Sequence, residues 1–152
     1  MKDFAMGWIP TGTSPEKYRM KIRFKNGKTQ IKNVTIEAVS EQYSSEEFGT
    51  ILKELDADFY RDKRVCFSGT ISTSNVTGWS GLWLKVCDNL GNTLKLDNML
   101  DRAVTGSVSK KECSCIMDIP SAADEIYIGF LLCGGGKIRV EDINFQVLDF
   151  KR

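Results

Sequence analysis

Between Val65 and Asp149 the chain breaks into short runs in which apolar residues alternate with polar or aromatic ones. A period of two is the pattern of a strand, with one face for a core and the other free to display chemistry. Two runs carry it most plainly: Gly78-Trp79-Ser80-Gly81-Leu82-Trp83-Leu84-Lys85-Val86 and Leu94-Lys95-Leu96-Asp97-Asn98-Met99. Strands are predicted over Tyr18–Phe24, Ile31–Val39, Phe48–Leu55, Val65–Thr73, Leu82–Asp88, Thr93–Asn98, Glu112–Ile119, Glu125–Cys133 and Lys137–Leu148. Turn signals separate them, among them Asn26-Gly27, Asp88-Asn89-Leu90-Gly91 and Gly134-Gly135-Gly136. Asp56–Lys63 has room for one helical turn but is too polar for a core helix. No amphipathic helix, repeat or interdomain linker is found. The expected fold is all-β, a two-sheet antiparallel β-sandwich of the jelly-roll kind, in a single domain over residues 1–152.

Parity within the strands assigns faces. Leu82, Leu84 and Val86 share one face, with Trp83, Lys85 and Cys87 on the other. On the next strand Leu94 and Leu96 share a face opposite Lys95, Asp97 and Met99. With both leucine rows in the core, Trp83, Lys85, Asp97 and Met99 collect outside, joined by Tyr127 and Leu131 if Ile126, Ile128, Phe130 and Leu132 are core. Such a face can stack on a ring and hydrogen-bond hydroxyls. The alternative stays open that Trp83 is a core residue, that Asp97-Asn98 only ends a strand, and that Arg102 only pairs with Asp97. Trp8 and Trp79 fall in predicted loops, where binding residues of sandwiches commonly sit.

Composition narrows the function classes. The chain has 152 residues, enough for a sizeable core, and a net charge of +1, against the basic excess of an extended nucleic-acid footprint. Lys17, Arg19, Lys21, Arg23 and Lys25 do line one face of a strand, and the ordinary reading is a solvated edge kept soluble by its charges. The first residues have no apolar signal-peptide region, and no run approaches the roughly 20 apolar residues of a membrane span. Five scattered cysteines, Cys66, Cys87, Cys113, Cys115 and Cys133, form no repeated metal spacing, and an odd count suits reduced thiols and a cytoplasmic location.

Catalysis fares poorly on the same reading. Histidine is absent, removing the commonest general base and metal ligand. Asp97 and Asp101, or Glu141 and Asp142, are near neighbours in sequence but form no motif of opposed acid and base. Gly134-Gly135-Gly136 lacks the following Lys-Ser/Thr and helix of a phosphate loop and reads as a turn.

Several segments in order along the chain resemble a known family. They are Gly7-Trp8 with Gly12, Pro15 and Tyr18; Tyr60-Arg61-Asp62-Lys63-Arg64-Val65; Trp79-Ser80-Gly81-Leu82-Trp83; Leu96-Asp97-Asn98-Met99 with Arg102; Asp118-Ile119-Pro120; and Gly129 to Gly136 followed by Val140-Glu141-Asp142-Ile143. Together they resemble the galactose-binding-like jelly-roll domains, the fold of many carbohydrate-binding modules. They are similar in particular to the β-sandwich domain appended to some AraC-type and MerR-type bacterial transcription regulators. The chain departs from that pattern where Ser109-Lys110-Lys111 replaces an expected tryptophan, and no helix-turn-helix precedes the domain in these residues.

The resemblance implies a noncatalytic module that recognises a small polar ligand, carbohydrate above all, with no nucleic acid or membrane partner. Trp83 and Tyr127 would stack, Asp97 would accept from hydroxyls, and Lys85, Asn98 and Arg102 would donate, with Trp79 and Trp8 as further candidates. The alternative is a protein-interaction module, facing a second copy or a regulatory protein, with no small ligand. No cofactor is implied beyond a structural calcium, which many such sandwiches hold near the chain ends; Asp142 is the best single ligand candidate, with Asp3 the acidic residue near the N-terminus.

Overall fold

In a computed structural model, residues 7–25, 30–40, 44 and 46–148 are described. Eleven strands run in order: β1 Trp8–Gly12, β2 Tyr18–Phe24, β3 Ile31–Ala38, β4 Phe48–Asp56, β5 Arg64–Ser74, β6 Val76–Cys87, β7 Thr93–Asp97, β8 Val104–Gly106, β9 Lys111–Asp118, β10 Glu125–Cys133 and β11 Lys137–Val147. They form two antiparallel sheets. The first has the order β1-β4-β10-β6-β7, with β8 also paired to β6; the second has the order β2-β3-β11-β5-β9. The chain is a β-sandwich, as the period-two pattern predicts.

Each sheet turns its apolar rows inward. Leu82, Leu84 and Val86 of β6, Ile126 and Phe130 of β10, and Ile51 of β4 are fully buried from the first sheet. Val34, Ile36, Val65, Phe67, Ile71, Ile138 and Val140 meet them from the second. Phe67 and Phe130 touch across the interface with ring centres 5.5 Å apart. The cationic residues of β2 point away from this core: Arg19, Lys21 and Arg23 are exposed, and Arg19 faces Glu37 at 3.7 Å. Lys17 belongs instead to a short 3-10 turn before β2 and pairs with Glu47 at 3.0 Å.

Three sequence expectations are corrected here. β6 begins at Val76, not Leu82, so Trp79 lies within a strand. Trp8 also lies in a strand, buried at 6% exposure and stacked on Phe130 with ring centres 5.5 Å apart. The third correction is β7. A register shift between Val86 and Cys87 sets Lys85 opposite Leu96 and Leu84 opposite Asp97. One residue of slip sends a whole strand's side chains to the opposite faces. Leu96 is therefore on the outer face and 53% exposed, while Asp97 takes the inner side. The Asn26-Gly27 turn lies outside the described residues, although β2 and β3 pair as a hairpin requires.

The cysteines carry free thiols: Cys87, Cys113, Cys115 and Cys133 buried, Cys66 half-buried. Burial pushes the Cys115 thiol up to about 12, with the nearby Asp97 carboxylate adding to the shift. Since the thiolate is the reactive form, the Cys115 thiol is protected twice over, by access and by protonation.

Two outcomes follow from this packing. Native protein treated with a thiol reagent at neutral pH should react first at Cys66, and denaturant without reductant should release five equivalents in all; a bridge between Cys113 and Cys115 would lower that number. Leu84→Ala should lose about 2–5 kcal/mol of unfolding free energy in a denaturant titration, as a fully buried leucine in the central rows does.

Candidate functional site

The outer face of the first sheet holds a groove of about 410 Å³. Its floor comes from the central strands: Thr50 and Leu52 of β4, Leu131 of β10, and Trp83 and Lys85 of β6. One wall is Thr11, Gly12 and Thr13 at the end of β1 with Phe48, and the other is Leu96 and Asn98 around the end of β7. Cross-strand register explains the assembly, because Leu131 pairs with both Thr50 and Gly81, and Gly129 with both Leu52 and Trp83. Residues directly opposite in an antiparallel pair share a face.

Trp83 is the best-positioned group in the groove. Its indole N–H donates to Thr50 Oγ1 at 2.9 Å, and the Thr50 hydroxyl donates to the carbonyl of Phe130 at 2.6 Å. The ring crosses β10 at Gly129, where an added Cβ would lie 2.6 Å from Trp83 Nε1 and 2.7 Å from the Ile51 carbonyl. Glycine at 129 thus makes room for the indole, and the hydrogen-bond relay fixes its orientation. A ring held this way presents a preformed apolar surface at low ordering cost.

Beside it the face turns polar. Lys85 Nζ stands 5.7 Å from the centre of the Tyr127 ring, and Tyr127 donates its hydroxyl to Glu125 Oε1 at 2.9 Å. Desolvation, then the bond to Glu125, pushes the Tyr127 phenol up to about 12. Glu54 shares the same patch, and its pKa is raised, first by a hydrogen bond with Glu125 and then by desolvation and by repulsion from Glu125 and Asp124.

The structure divides the sequence-derived candidates. Trp83, Lys85 and Asn98 line the groove, and Tyr127 adjoins it on the same face. Asp97 and Arg102 do not join Trp83 there. Arg102 Nη2 donates to Asp97 Oδ2 at 2.9 Å and to the Ser114 carbonyl of β9 at 3.1 Å, while Asp97 Oδ1 also accepts from the Met99 N–H at 3.0 Å. The pair clasps the edge of the first sheet to the second. Lys95 does likewise, donating to the Asp118 carbonyl at 2.9 Å. Trp79 stands on the groove side of β6 but outside the groove's lining, and Trp8 faces the core. Asp142 is exposed at a bulge of β11; among the described residues no group of three or more potential metal-ligating side chains gathers, and Asp3 lies outside them.

Phe48, Thr50 and Leu52 were legible only as one alternating row. What places them in the site is the pairing of β4 with β10, about 80 residues away in the chain, as the Thr50–Phe130 hydrogen bond spans.

With this geometry in hand, likeness to known proteins becomes informative. No protein-family model matches the chain. It is 28% identical over 148 residues to the uncharacterized HTH-type transcriptional regulator YbfP of Bacillus subtilis (strain 168), matching 94% of this chain and 48% of that protein. The chain therefore spans about half the length of the curated relative it matches. Among solved structures, a CBM4 module aligns over 96% of this chain and 92% of its own, with TM-score 0.60 and 13% identity. The CBM22-1 xylan-binding domain of Paenibacillus barcinonensis Xyn10C aligns over 99% and 91%, with TM-score 0.60 and 8% identity. The enzymatically active domain of bacteriophage CBA120 tailspike protein 4 aligns with 94% of this chain over 20% of its own length, at TM-score 0.66 and 9% identity. The fold is that of the carbohydrate-binding-module jelly rolls. Among the described residues no helix is long and apolar enough to cross a membrane.

Two measurements test the site's construction. Gly129→Ala should displace the indole and lower stability, seen as a red-shifted tryptophan emission and a lower melting temperature. Glu54→Gln should raise the melting temperature more at pH 8 than in acid, because it removes a carboxyl whose ionised form Glu125 and Asp124 disfavour. A raised native pKa means the ionised form is the destabilising one, so the wild type gains stability as pH falls through that pKa and the difference between the two proteins closes. A gap that widens in acid would exclude the carboxyl pairing.

Proposed function

We propose that this chain is a noncatalytic binding module whose groove on the first sheet takes a carbohydrate. The single observation that carries the reading is the indole of Trp83, held across Gly129 by Thr50 and facing a mostly apolar groove with Lys85 and Asn98 at its side. A pyranose has apolar C–H faces and a rim of hydroxyls. Trp83 would stack on such a face, and Lys85 and Asn98 would hydrogen-bond the rim, a division of labour usual in small-molecule sites. Tyr127 would extend the platform beyond the groove. Asp97 and Arg102, engaged with one another, would act by holding the wall that carries Leu96 and Asn98.

The noncatalytic part of the reading rests on the carboxyls about the groove. Asp97, between the lining residues Leu96 and Asn98, is held by Arg102, and Glu54 and Glu125 lie close enough to share a hydrogen bond, whereas a retaining glycosidase separates its two carboxyls by about 5–5.5 Å with the scissile bond between them. The overlap with a xylan-binding domain and a CBM4 module over nearly their full lengths supports the same class.

A second reading is favoured by the relative, of which this chain matches 48%. On that reading this domain would be the effector half of a regulator, and occupancy of the groove would be passed to a neighbouring domain or a second copy. Both readings need the groove to bind; an interaction module without a ligand does not.

Affinity electrophoresis through xylan, β-glucan and galactan, followed by calorimetry with the matching oligosaccharides, tests this. Wild-type protein should be retarded by at least one polymer, and Trp83→Ala should weaken that binding by about tenfold or more, roughly 1.4 kcal/mol. Trp83→Ala should also cost less stability than Leu84→Ala. Retardation indifferent to Trp83, or absent with every polymer, would remove the groove from consideration.

A further inference from the structure

We infer that the cleft between the two sheets, beneath Lys53 and beside the bulge of β11, is a second ligand site, built for a small ring compound carrying an anionic group. This cleft measures about 510 Å³ and shares no lining residue with the groove around Trp83. Backbone irregularity borders it: β11 shifts register between Glu141 and Asn144, and Asp142 between them takes a left-handed conformation with φ 55°. An extra residue of this kind bends a strand locally, and such bulges are common beside functional sites.

The walls are aromatic. Tyr60 and Phe145 meet edge to face with centres 5.2 Å apart, Phe67 lies 6.4 Å from Phe145, and Trp8 forms the far side. Beside these rings, in a cleft whose lining also includes Gln30 and Asn144, the first sheet places a cation. Lys53 pairs in register with Trp8 on β1 and Ile128 on β10, on the inward side of β4 between Ile51 and Leu55. Its Nζ stands 5.9 Å from the centre of the Trp8 indole. An ammonium drawn toward a core without a counter-charge is costly, and the usual remedy is a carboxylate. No acidic side chain pairs with Lys53 among the described residues, nor with Lys25 at the end of β2, which also lines the cleft.

Other donors there are equally unengaged. The Trp8 indole N–H and the Tyr60 hydroxyl make no hydrogen bond with described residues, yet no buried side-chain nitrogen or oxygen among them lacks a partner, so both atoms keep some exposure, and both residues line the cleft. Among the described residues, two ammonium groups, an indole N–H and a phenol line the cleft beside one carboxylate, Asp142. That balance fits acceptor oxygens bearing negative charge, on a ring broad enough to cover Tyr60 and Phe145. A sugar carboxylate and a sugar phosphate share this chemistry.

Calorimetry separates the sources, with galacturonate, glucose 6-phosphate, galactose and inorganic phosphate as probes at low and moderate salt. One of the two acidic sugars should bind, more weakly as salt rises, and about tenfold or more tighter than galactose or inorganic phosphate. The better of the two identifies the anionic group. Lys53→Met should lose about tenfold or more of that affinity and Lys53→Arg should keep most of it. Lys25→Met, at an exposed position, should weaken binding in the same direction even if the Lys53 variant melts too early to assay. Trp83→Ala should leave it unchanged, so that failure here and failure of the groove are told apart. No binding by either acid, equal binding by inorganic phosphate, indifference to both lysine substitutions, or loss on Trp83→Ala would each overturn the second site.

Discussion

Phe130 joins the core to the groove within one residue. Its ring packs against Trp8 from its own sheet and Phe67 from the other, each with centres 5.5 Å apart. Its carbonyl accepts the Thr50 hydroxyl, which in turn receives the Trp83 indole N–H. Side-chain packing therefore fixes the height of β10 in the sandwich, and that height fixes where the tryptophan platform lies. Backbone groups in a sheet cannot move independently of the ring beneath them. A change in the core at Phe130 or Phe67 is transmitted directly to the floor of the groove.

The two faces of the sandwich divide the chemistry. On the first sheet, apolar groove residues give way to a patch of Glu54, Glu125 and Tyr127 facing Lys85. On the second, β2 at the edge carries outward arginine and lysine side chains, with Glu37 of β3 opposite Arg19. Charges on an edge strand discourage pairing with another chain, which suffices to explain that row. The fold supports many uses, and what distinguishes this chain is which rows are apolar and where an unpaired charge is left.

How much of this is legible in the chain depends on the kind of contact. The row Leu82, Leu84, Val86 announces itself by period, and with it the opposite placement of Trp83 and Lys85. The same rule misplaces Leu96 and Asp97, because a bulge after Val86 slips β7 by one residue and nothing in Leu94-Lys95-Leu96-Asp97 marks it. Trp8 and Trp79 are isolated aromatics with short flanks, so periodicity is silent about whether they sit in loops or strands. Thr50 and Gly129 acquire their roles only from pairings between distant strands. Lys53 is the subtlest case: its row along β4 reads inward at Ile51 and Leu55, and the pairing with the buried Trp8 and Ile128 places it as a cation on the core side.

β7 gives the groove an uneven mechanical character. One wall, around Phe48 and Thr13, is tied to β4, a strand paired on both sides; the other rests on β7, five residues long and hydrogen-bonded to a single neighbour. Its inner row includes Lys95 and Asp97, so beside the packing of Leu94 it is anchored to the second sheet by polar clasps where an interior strand would have a full hydrophobic row. Such contacts open at lower free energy than core strands do. The groove is in effect a vice with one fixed jaw and one compliant jaw. On the proposed reading, ligands of different thickness would be accommodated by the Leu96 side without disturbing the relay that aims the indole.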